Sequence, residues 1–453
     1  MELLNKNILV IGLGISGIST IKALDRLGAI IWVTDTKTEE ELKDVFTALE
    51  NIPIIKRLGV SNFNLKQIDL IVKSPGVPPH IPIIQNAISE GIEVITDIEL
   101  SYRLKISNNF IGITGTNGKT TTTTLVGEVF KAAGLSTHVV GNIGTGILGE
   151  LVCSNKEDIF VIEASSFQLE HTKYFKPRVS LVLNLAPDHI DWHGSYENYI
   201  NSKKKIFLNQ ENKDFTVLNY DDPILRTFKD EIKSNIIWFS TNEKLDKGIY
   251  IDEEYIIINN GVEAVNFMSY KDINILGRHN LENVLGCIGI CIAMGIDLNL
   301  QKSVISNFKG VEHRLEFVDK KNEIKFYNDS KGTNPEASIK AIEAIPSPII
   351  LIAGGYDKSS SFDEFIISFK DKVKAMILLG ETKYKIKEAA DKNNFKAYYI
   401  VETLEEAVEL AYSLGDKGDH ILLSPACASW GMFNNFEERG KAFKEAVFKL
   451  RED

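Results

Sequence analysis

The sequence predicts an α/β protein of three domains. The first is Rossmann-like, the second is of the P-loop ATPase type with a mostly parallel sheet, and the third is again Rossmann-like. Three observations predict it. A glycine fingerprint, Gly12-Leu-Gly14-Ile-Ser16-Gly17, follows a short apolar run and opens a helical pattern. A second glycine turn, Gly115-Thr116-Asn117-Gly118-Lys119-Thr120-Thr121, stands in the same strand–turn–helix setting. In the last third, apolar runs repeatedly end in polar and basic residues, as parallel strands with one ligand edge do. The 453 residues suffice for about three domains. They divide at 1–107, 108–311 and 312–453.

The bulk properties exclude several classes. The chain is 44% hydrophobic and 25% charged, an ordinary globular mix. Lys+Arg 51 against Asp+Glu 62 gives a net charge of −11, which argues against a nucleic-acid surface and leaves room for a local basic cleft. The four cysteines, Cys153, Cys287, Cys291 and Cys427, show no framework spacing and point to a reducing, cytoplasmic compartment. Cys287 and Cys291 lie one turn apart in an apolar helix, where packing is expected rather than metal. Residues 7–17 are broken by glycines and continue into a domain, unlike a signal peptide. No apolar stretch approaches the ~18 residues of a membrane span.

In the first segment, residues 7–11 read as a buried strand and residues 29–33 as a second, ending at Asp35. With the glycines this is a complete dinucleotide fingerprint, and taken alone it predicts an NAD enzyme with Asp35 on the ribose. The fingerprint itself requires only a diphosphate at a helix N-terminus and a polar residue beside a ribose, which a nucleotide-sugar diphosphate satisfies equally. A further strand, residues 69–72, ends in Lys73-Ser74-Pro75-Gly76, so Ser74 and Gly76 are candidate contacts.

In the middle segment, residues 110–113 form the strand before the phosphate loop. Backbone N–H groups of the turn can cradle phosphate, Lys119 can reach the β- and γ-phosphates, and the Thr120 hydroxyl can ligate Mg²⁺. The first glycine of the usual pattern falls at Ile113, so the loop is a variant. Residues 139–144 lead through Asn142 into another glycine turn. The strand at 158–162 ends in Glu163-Ala-Ser165-Ser166-Phe-Gln168, with Glu163 placed as an acid facing Mg²⁺. The strand at 179–185 precedes Asp188-His189-Ile-Asp191, where His189 is either a metal ligand or a pH-sensitive surface group. Ser195 is the expected N-cap of a helix. At about 100° per residue, Tyr196, Tyr199, Ile200, Ile206 and Phe207 share one side. Lys203 falls on that side, Lys205 roughly opposite and Lys204 at the margin. An inward lysine is costly unless paired or modified. Residues 215–219 and 236–239 continue the strands, 250–261 reads as a hairpin insertion, and Asn280 and Asn283 on the next helix could bracket a base.

In the third segment, strands at 324–327, 349–353, 375–379 and 420–423 end in Asn328-Asp329-Ser330-Lys331, Gly354-Gly355-Tyr-Asp357-Lys358 and Ser424-Pro-Ala-Cys-Ala-Ser429. Arg314, Lys331 and Lys358 suit carboxylate or phosphate groups.

Together the blocks Gly115–Thr120, Glu163–Gln168, Asp188-His189, Lys203, His279-Asn280-x-x-Asn283, His313-Arg314, Asn328–Lys331 and Gly354–Lys358 resemble the Mur ligases of peptidoglycan synthesis, in that family's order and across nearly the whole chain. Two stretches, the first glycine fingerprint with Asp35-Thr36 and Ser424–Ser429 through Asn435-Phe436-Glu-x-Arg439-Gly440, resemble its D-glutamate-adding branch. Gly431 departs from that branch, which commonly carries an aspartate there. The resemblance implies an ATP-dependent amide ligase acting on UDP-N-acetylmuramoyl-L-alanine and D-glutamate, as a monomer. Gly14, Ser16, Asp35, Thr36, Ser74 and Asn142 would hold the UDP substrate. Gly115 to Thr121, Asn280, Asn283, Arg314, Asp329 and Lys331 would hold ATP, with Lys119 on its phosphates. Thr120 and Glu163 would hold one Mg²⁺, and His189 with a carbamylated Lys203 a second. Lys119, Lys203 and His189 would carry the chemistry, and Lys358, Ser429 and Phe436 would contact D-glutamate.

Overall fold

The computed structural model describes residues 1–59, 64–275, 277–356 and 361–451. Three sheets follow one another along the chain. The first comprises β1 (Asn7–Ile11), β2 (Ile30–Thr34), β3 (Ile54–Lys56), β4 (Leu70–Lys73) and β5 (Glu93–Ile95), in the order β3-β2-β1-β4-β5. Every pairing is parallel. The strand order reverses between β1 and β4, which opens a crevice at their carboxyl ends.

The second sheet comprises β6 (Asn109–Thr114), β7 (Thr137–Gly141), β8 (Ile159–Glu163), β9 (Val179–Val182), β10 (Phe215–Asn219), β11 (Asn235–Ser240), β12 (Gly248–Asp252), β13 (Tyr255–Asn259) and β14 (Ala264–Ser269). Its order is β14-β13-β12-β11-β10-β9-β6-β8-β7. The expected hairpin is present as antiparallel β12 and β13, but it is no separate insertion: β12 also pairs in parallel with β11 and so extends the sheet. β6 lies between β8 and β9, so the loops after these three strands emerge side by side.

The third sheet comprises β15 (Glu316–Lys321), β16 (Ile324–Asn328), β17 (Ile349–Ala353), β18 (Val373–Leu378), β19 (Tyr398–Ile400) and β20 (His420–Leu423), in the order β15-β16-β20-β17-β18-β19. Only the β15–β16 pair is antiparallel.

The chain forms two compact units, Met1–Asp272 with Leu281–Ser306, and Ile273–Asn280 with Asn307–Asp453. The first two sheets therefore share one unit. The helix Asp97–Leu104 joins them: Tyr102 packs on Phe110 and Phe175, each 6.1 Å between ring centres. Glu99 on the same helix is fully buried. Its oxygens accept the successive backbone N–H groups of Lys173, Tyr174 and Phe175, each at 2.9 Å, and the Arg103 guanidinium at 2.7 Å. Those bonds offset the cost of taking a carboxylate out of water. Among the described residues no helix is long and apolar enough to cross a membrane.

Candidate active site

The turn after β1 is built from its glycines. Gly12 adopts φ +89, and a Cβ on Gly17 would lie 2.0 Å from the Gly12 carbonyl oxygen. A Cβ on Gly14 would meet nothing within 4 Å, so its backbone faces open space at the N-terminus of the helix Ile15–Arg26. The Asp35 carboxylate accepts the Leu13 N–H at 2.8 Å and the Lys37 N–H at 3.0 Å. Asp35 therefore shapes the turn as well as bordering it. The Ser74 hydroxyl donates to the Gly12 carbonyl at 2.8 Å. Asp35 and Ser74 thus both bond to the turn that holds Gly14, with Ser16 in the helix that follows and Thr36 beside Asp35. Behind them lies Lys73, 1% exposed, donating to the carbonyls of Val77 at 2.9 Å, Pro75 at 3.3 Å and Ser74 at 3.4 Å. Burial pushes its pKa down to about 8, against the opposing pull of Asp97 and Glu170.

The turn after β6 is organised by cations. Lys119, at the start of the helix Lys119–Ala132, donates to the carbonyls of Gly115 at 2.9 Å and Thr116 at 2.8 Å. Lys203 reaches the same Gly115 carbonyl at 2.8 Å and the Thr114 hydroxyl at 3.2 Å. The wheel placement holds: Lys203 is 1% exposed on the helix Tyr196–Lys204, whose Ser195 N-cap accepts the Asn198 N–H at 3.1 Å. Lys205, expected opposite, ends the helix half-buried, beside Glu170 at 3.4 Å. Burial drives the Lys203 pKa well below its ordinary value, and the neighbouring Lys119 charge pushes it further in that direction. Asn283 abuts the loop, since a Cβ on Gly118 would lie 2.0 Å from its Oδ1.

Glu163 ends β8 beside the phosphate loop and is 2% exposed. Its Oε1 accepts the Asn142 side-chain N–H at 3.0 Å, while its Oε2 is buried without a hydrogen-bond partner. An orphaned buried carboxylate oxygen is costly, and a divalent cation would satisfy it, so the donor chemistry fits Mg²⁺. His189 stands at φ +51 ahead of the short helix Ile190–His193, half-exposed, with its ring 4.7 Å from Phe167. Among the described residues no three His, Cys, Asp or Glu side chains converge as a ready metal cage. Mg²⁺ sites commonly take one or two carboxylates and complete their shell with water and phosphate.

In the second unit the loops after β16 and β20 meet around buried Arg439. Its guanidinium donates to the Ser330 carbonyl at 2.7 Å, the Ser330 hydroxyl at 3.0 Å and the Cys427 carbonyl at 3.1 Å. Asp329 is buried and accepts the Ser424 hydroxyl at 2.7 Å; burial pushes its pKa up to about 7. Lys331 lies over the Phe436 ring at 5.4 Å, which brings an expected ATP contact to an expected D-glutamate contact. Ser429 is buried in the β20 loop. Arg314 lies close enough to Asp329 to lower its pKa in part. Asn280 is buried and belongs to this unit. Gly431 adopts φ +86, a conformation that an aspartate reaches less readily than glycine. Lys358 falls outside the described residues.

Sequence reasoning missed several braces. Asn184 accepts the Asn117 N–H at 2.8 Å on its side chain and the Thr116 N–H at 2.9 Å on its backbone. The Tyr199 hydroxyl meets that of Thr116 at 2.9 Å. Tyr199 already stood on the buried side of the wheel, and that was its signal. Asn184 acts through strand order and carried none, whereas Arg439 stood in the block Asn435–Gly440 without a role of its own.

Family models match three stretches: residues 6–96 to the Mur ligase MurD-like N-terminal domain, 113–291 to the Mur ligase middle domain and 313–427 to the Mur ligase glutamate ligase domain. The chain is similar to proteins named UDP-N-acetylmuramoylalanine–D-glutamate ligase. It is 48% identical over 455 residues to that of Alkaliphilus oremlandii and 46% over 452 residues to that of Clostridioides difficile, covering 100% of both chains in each case. Among solved structures it resembles the UDP-N-acetylmuramate–alanine ligase of Thermotoga maritima, with TM-score 0.61, 18% identity and 98% of this chain matched to 100% of that one. It also resembles a MurF ligase of T. maritima in complex with ADP, with TM-score 0.56, 17% identity and coverages of 99% and 96%. At such identities the likeness speaks for the fold.

Proposed function

The chain belongs to the Mur ligase family, and we propose that it joins D-glutamate to UDP-N-acetylmuramoyl-L-alanine at the expense of ATP, in peptidoglycan precursor synthesis. The observation that carries this reading is identity of 46–48% over the whole chain with ligases of that name. The two glycine turns support it, because one chain then has separate places for a sugar-linked diphosphate and for a triphosphate. The nicotinamide alternative leaves the second turn without a task.

Residues 1–107 would bind the UDP end, through the amides around Gly14, with Ser16, Asp35, Thr36 and Ser74 about the uridine and diphosphate. Residues 108–311 would bind ATP on the backbone N–H groups of Gly115 to Thr121, with Asn280 and Asn283 near the base. Residues 312–453 would supply Arg314, Asp329 and Lys331 to ATP, and Lys358, Ser429 and Phe436 to D-glutamate. Two magnesium ions, when bound, supply charge neutralisation for the phosphate oxygens. Thr120 and Glu163 would hold one, His189 and a Lys203 carbamate the other, with Asn142 orienting Glu163 from one side. The depressed pKa of Lys203 supports the carbamate, since only the neutral amine attacks CO₂; the N–C bond forms as the nitrogen releases its proton.

Lys119 would leave the loop carbonyls it caps and follow the transferred phosphoryl group, offsetting charge as it moves to the substrate carboxylate. The acyl phosphate is then open to the D-glutamate amine. Attack makes a tetrahedral carbon, phosphate leaves, and the amine proton passes to solvent or base. Water must be excluded meanwhile, since hydrolysis would waste the activated acid. The reading describes a cytoplasmic monomer. An ATP-dependent phosphate-release assay with UDP-N-acetylmuramoyl-L-alanine and a panel of D-glutamate, L-alanine, L-lysine and meso-diaminopimelate tests it. Release with D-glutamate alone is expected; release stimulated by another of the four reassigns the substrate.

A further inference from the structure

We propose that His193 is a positioning residue that ties together the three segments bearing Glu163, His189 and Lys203, and so sets their register for a divalent cation. The inference rests on the metal assignment of the preceding subsection and adds a residue that the assignment does not use.

His193 is buried at the end of the turn that begins at His189. Its Nε2 lies 2.9 Å from the Ser166 hydroxyl, and Ser166 stands three residues after Glu163 in the turn leaving β8. Its Nδ1 lies 3.3 Å from the Ser202 hydroxyl, and Ser202 immediately precedes Lys203. One imidazole therefore touches all three segments. Its ring stacks on Phe167 at 5.7 Å and 15°, and Phe167 also meets the His189 ring at 4.7 Å.

The protons fix the roles. Ser202 has one hydroxyl hydrogen, with the Glu170 carboxylate and the Asn198 carbonyl, at 2.8 Å, as its acceptors. The Ser202 oxygen is then an acceptor for His193, which donates from Nδ1–H. Nε2 is left with its lone pair and accepts the Ser166 hydroxyl. The neutral Nδ1–H form serves both partners at once. A histidine that merely filled space would need neither hydroxyl; two serines, each buried, both aimed at the ring nitrogens, argue for alignment.

The test is His193→Phe in the full chain, which keeps a flat ring against Phe167 and removes both hydrogen bonds. Mn²⁺ serves as the probe, titrated in the presence of ADP and followed by the loss of the free-ion electron paramagnetic signal. The variant is expected to weaken Mn²⁺ binding about tenfold or more, the range seen when the groups orienting metal ligands are removed. The kcat is expected to fall in step, with the KM for D-glutamate within about twofold of wild type. Ser166→Ala and Ser202→Ala each remove one tie without opening a large cavity. They are expected to weaken Mn²⁺ binding by about threefold each, and His193→Asn, which restores only the Nδ1-side donor, to fall between wild type and His193→Phe. Should His193→Phe fail to fold, the two serine variants decide. Wild-type Mn²⁺ binding in His193→Phe, or in both serine variants, overturns the proposal. A wild-type protein that binds no Mn²⁺ overturns it together with the metal assignment. A wild-type protein that binds Mn²⁺ but releases no phosphate with D-glutamate overturns the substrate assignment and leaves this tie standing.

Discussion

The two glycine turns share a plan, strand to turn to helix N-terminus, and differ in what holds them. The turn after β1 is closed by a carboxylate and a hydroxyl, Asp35 on the Leu13 N–H and Ser74 on the Gly12 carbonyl. The turn after β6 is closed by two lysines that converge on one carbonyl, that of Gly115. The first turn does have a lysine nearby, but Lys73 points away into its own loop. A helix N-terminus alone suffices to hold a diphosphate that does not react. A triphosphate that must surrender a phosphoryl group needs mobile positive charge at the point of transfer. On the proposed function, the difference in lysine placement is a difference between holding and reacting.

That contrast can be broken most forcefully at Lys119. Lys119→Ala is expected to lower kcat by about three orders of magnitude or more, measured as phosphate release at saturating substrates; a loss below about tenfold would mean the second turn holds rather than reacts. Lys203→Ala is expected to be inactive too, but with partial recovery on adding short-chain carboxylic acids, which can stand where a carbamate would. An active variant indifferent to such acids would remove the carbamate from the account. Asp35→Ala should act on binding alone, raising the KM for the UDP substrate about tenfold while kcat stays within about twofold. A kcat effect as large as that of Lys119→Ala would erase the distinction between the turns.

The smallest effect concerns Lys73. Its folded pKa is about 8 and its ordinary value 10.5, so between those limits the unfolded chain holds a proton that the folded chain has released. Stability from this group therefore rises with pH across that window. Wild type should gain on Lys73→Met by up to about 3 kcal/mol between pH 8 and pH 10.5, read from denaturant midpoints at each pH. A constant gap would show that the ammonium is better solvated than its burial suggests.

Much of this was legible from residues alone, because glycine spacing and helical period are local. Both turns, the N-cap Ser195 and the inward aim of Lys203 depend on neighbours within a few positions. Short or polar strands were not legible. β3 and β5 have three residues each, and β15 reads Glu-Phe-Val-Asp-Lys-Lys, an edge whose charges mask the strand pattern. Asn184 was missed for a different reason. It braces the phosphate loop only because β9 lies next to β6, and that adjacency spans about seventy residues of chain. Glu163 was placed correctly at a strand end, yet its buried, unbonded Oε2 emerges only when Asn142 is seen to bond Oε1.

The Glu99 clamp bears on how such a chain can be altered. Three consecutive amides of the second sheet's approach depend on a side chain supplied by the first, so neither sheet keeps its polar groups satisfied if the other is exchanged for a foreign version. Grafting a relative's first segment onto this second sheet would keep those amides satisfied only if the graft brought its own acid to that spot. Both sheets lie in the single compact unit of Met1–Asp272 with Leu281–Ser306.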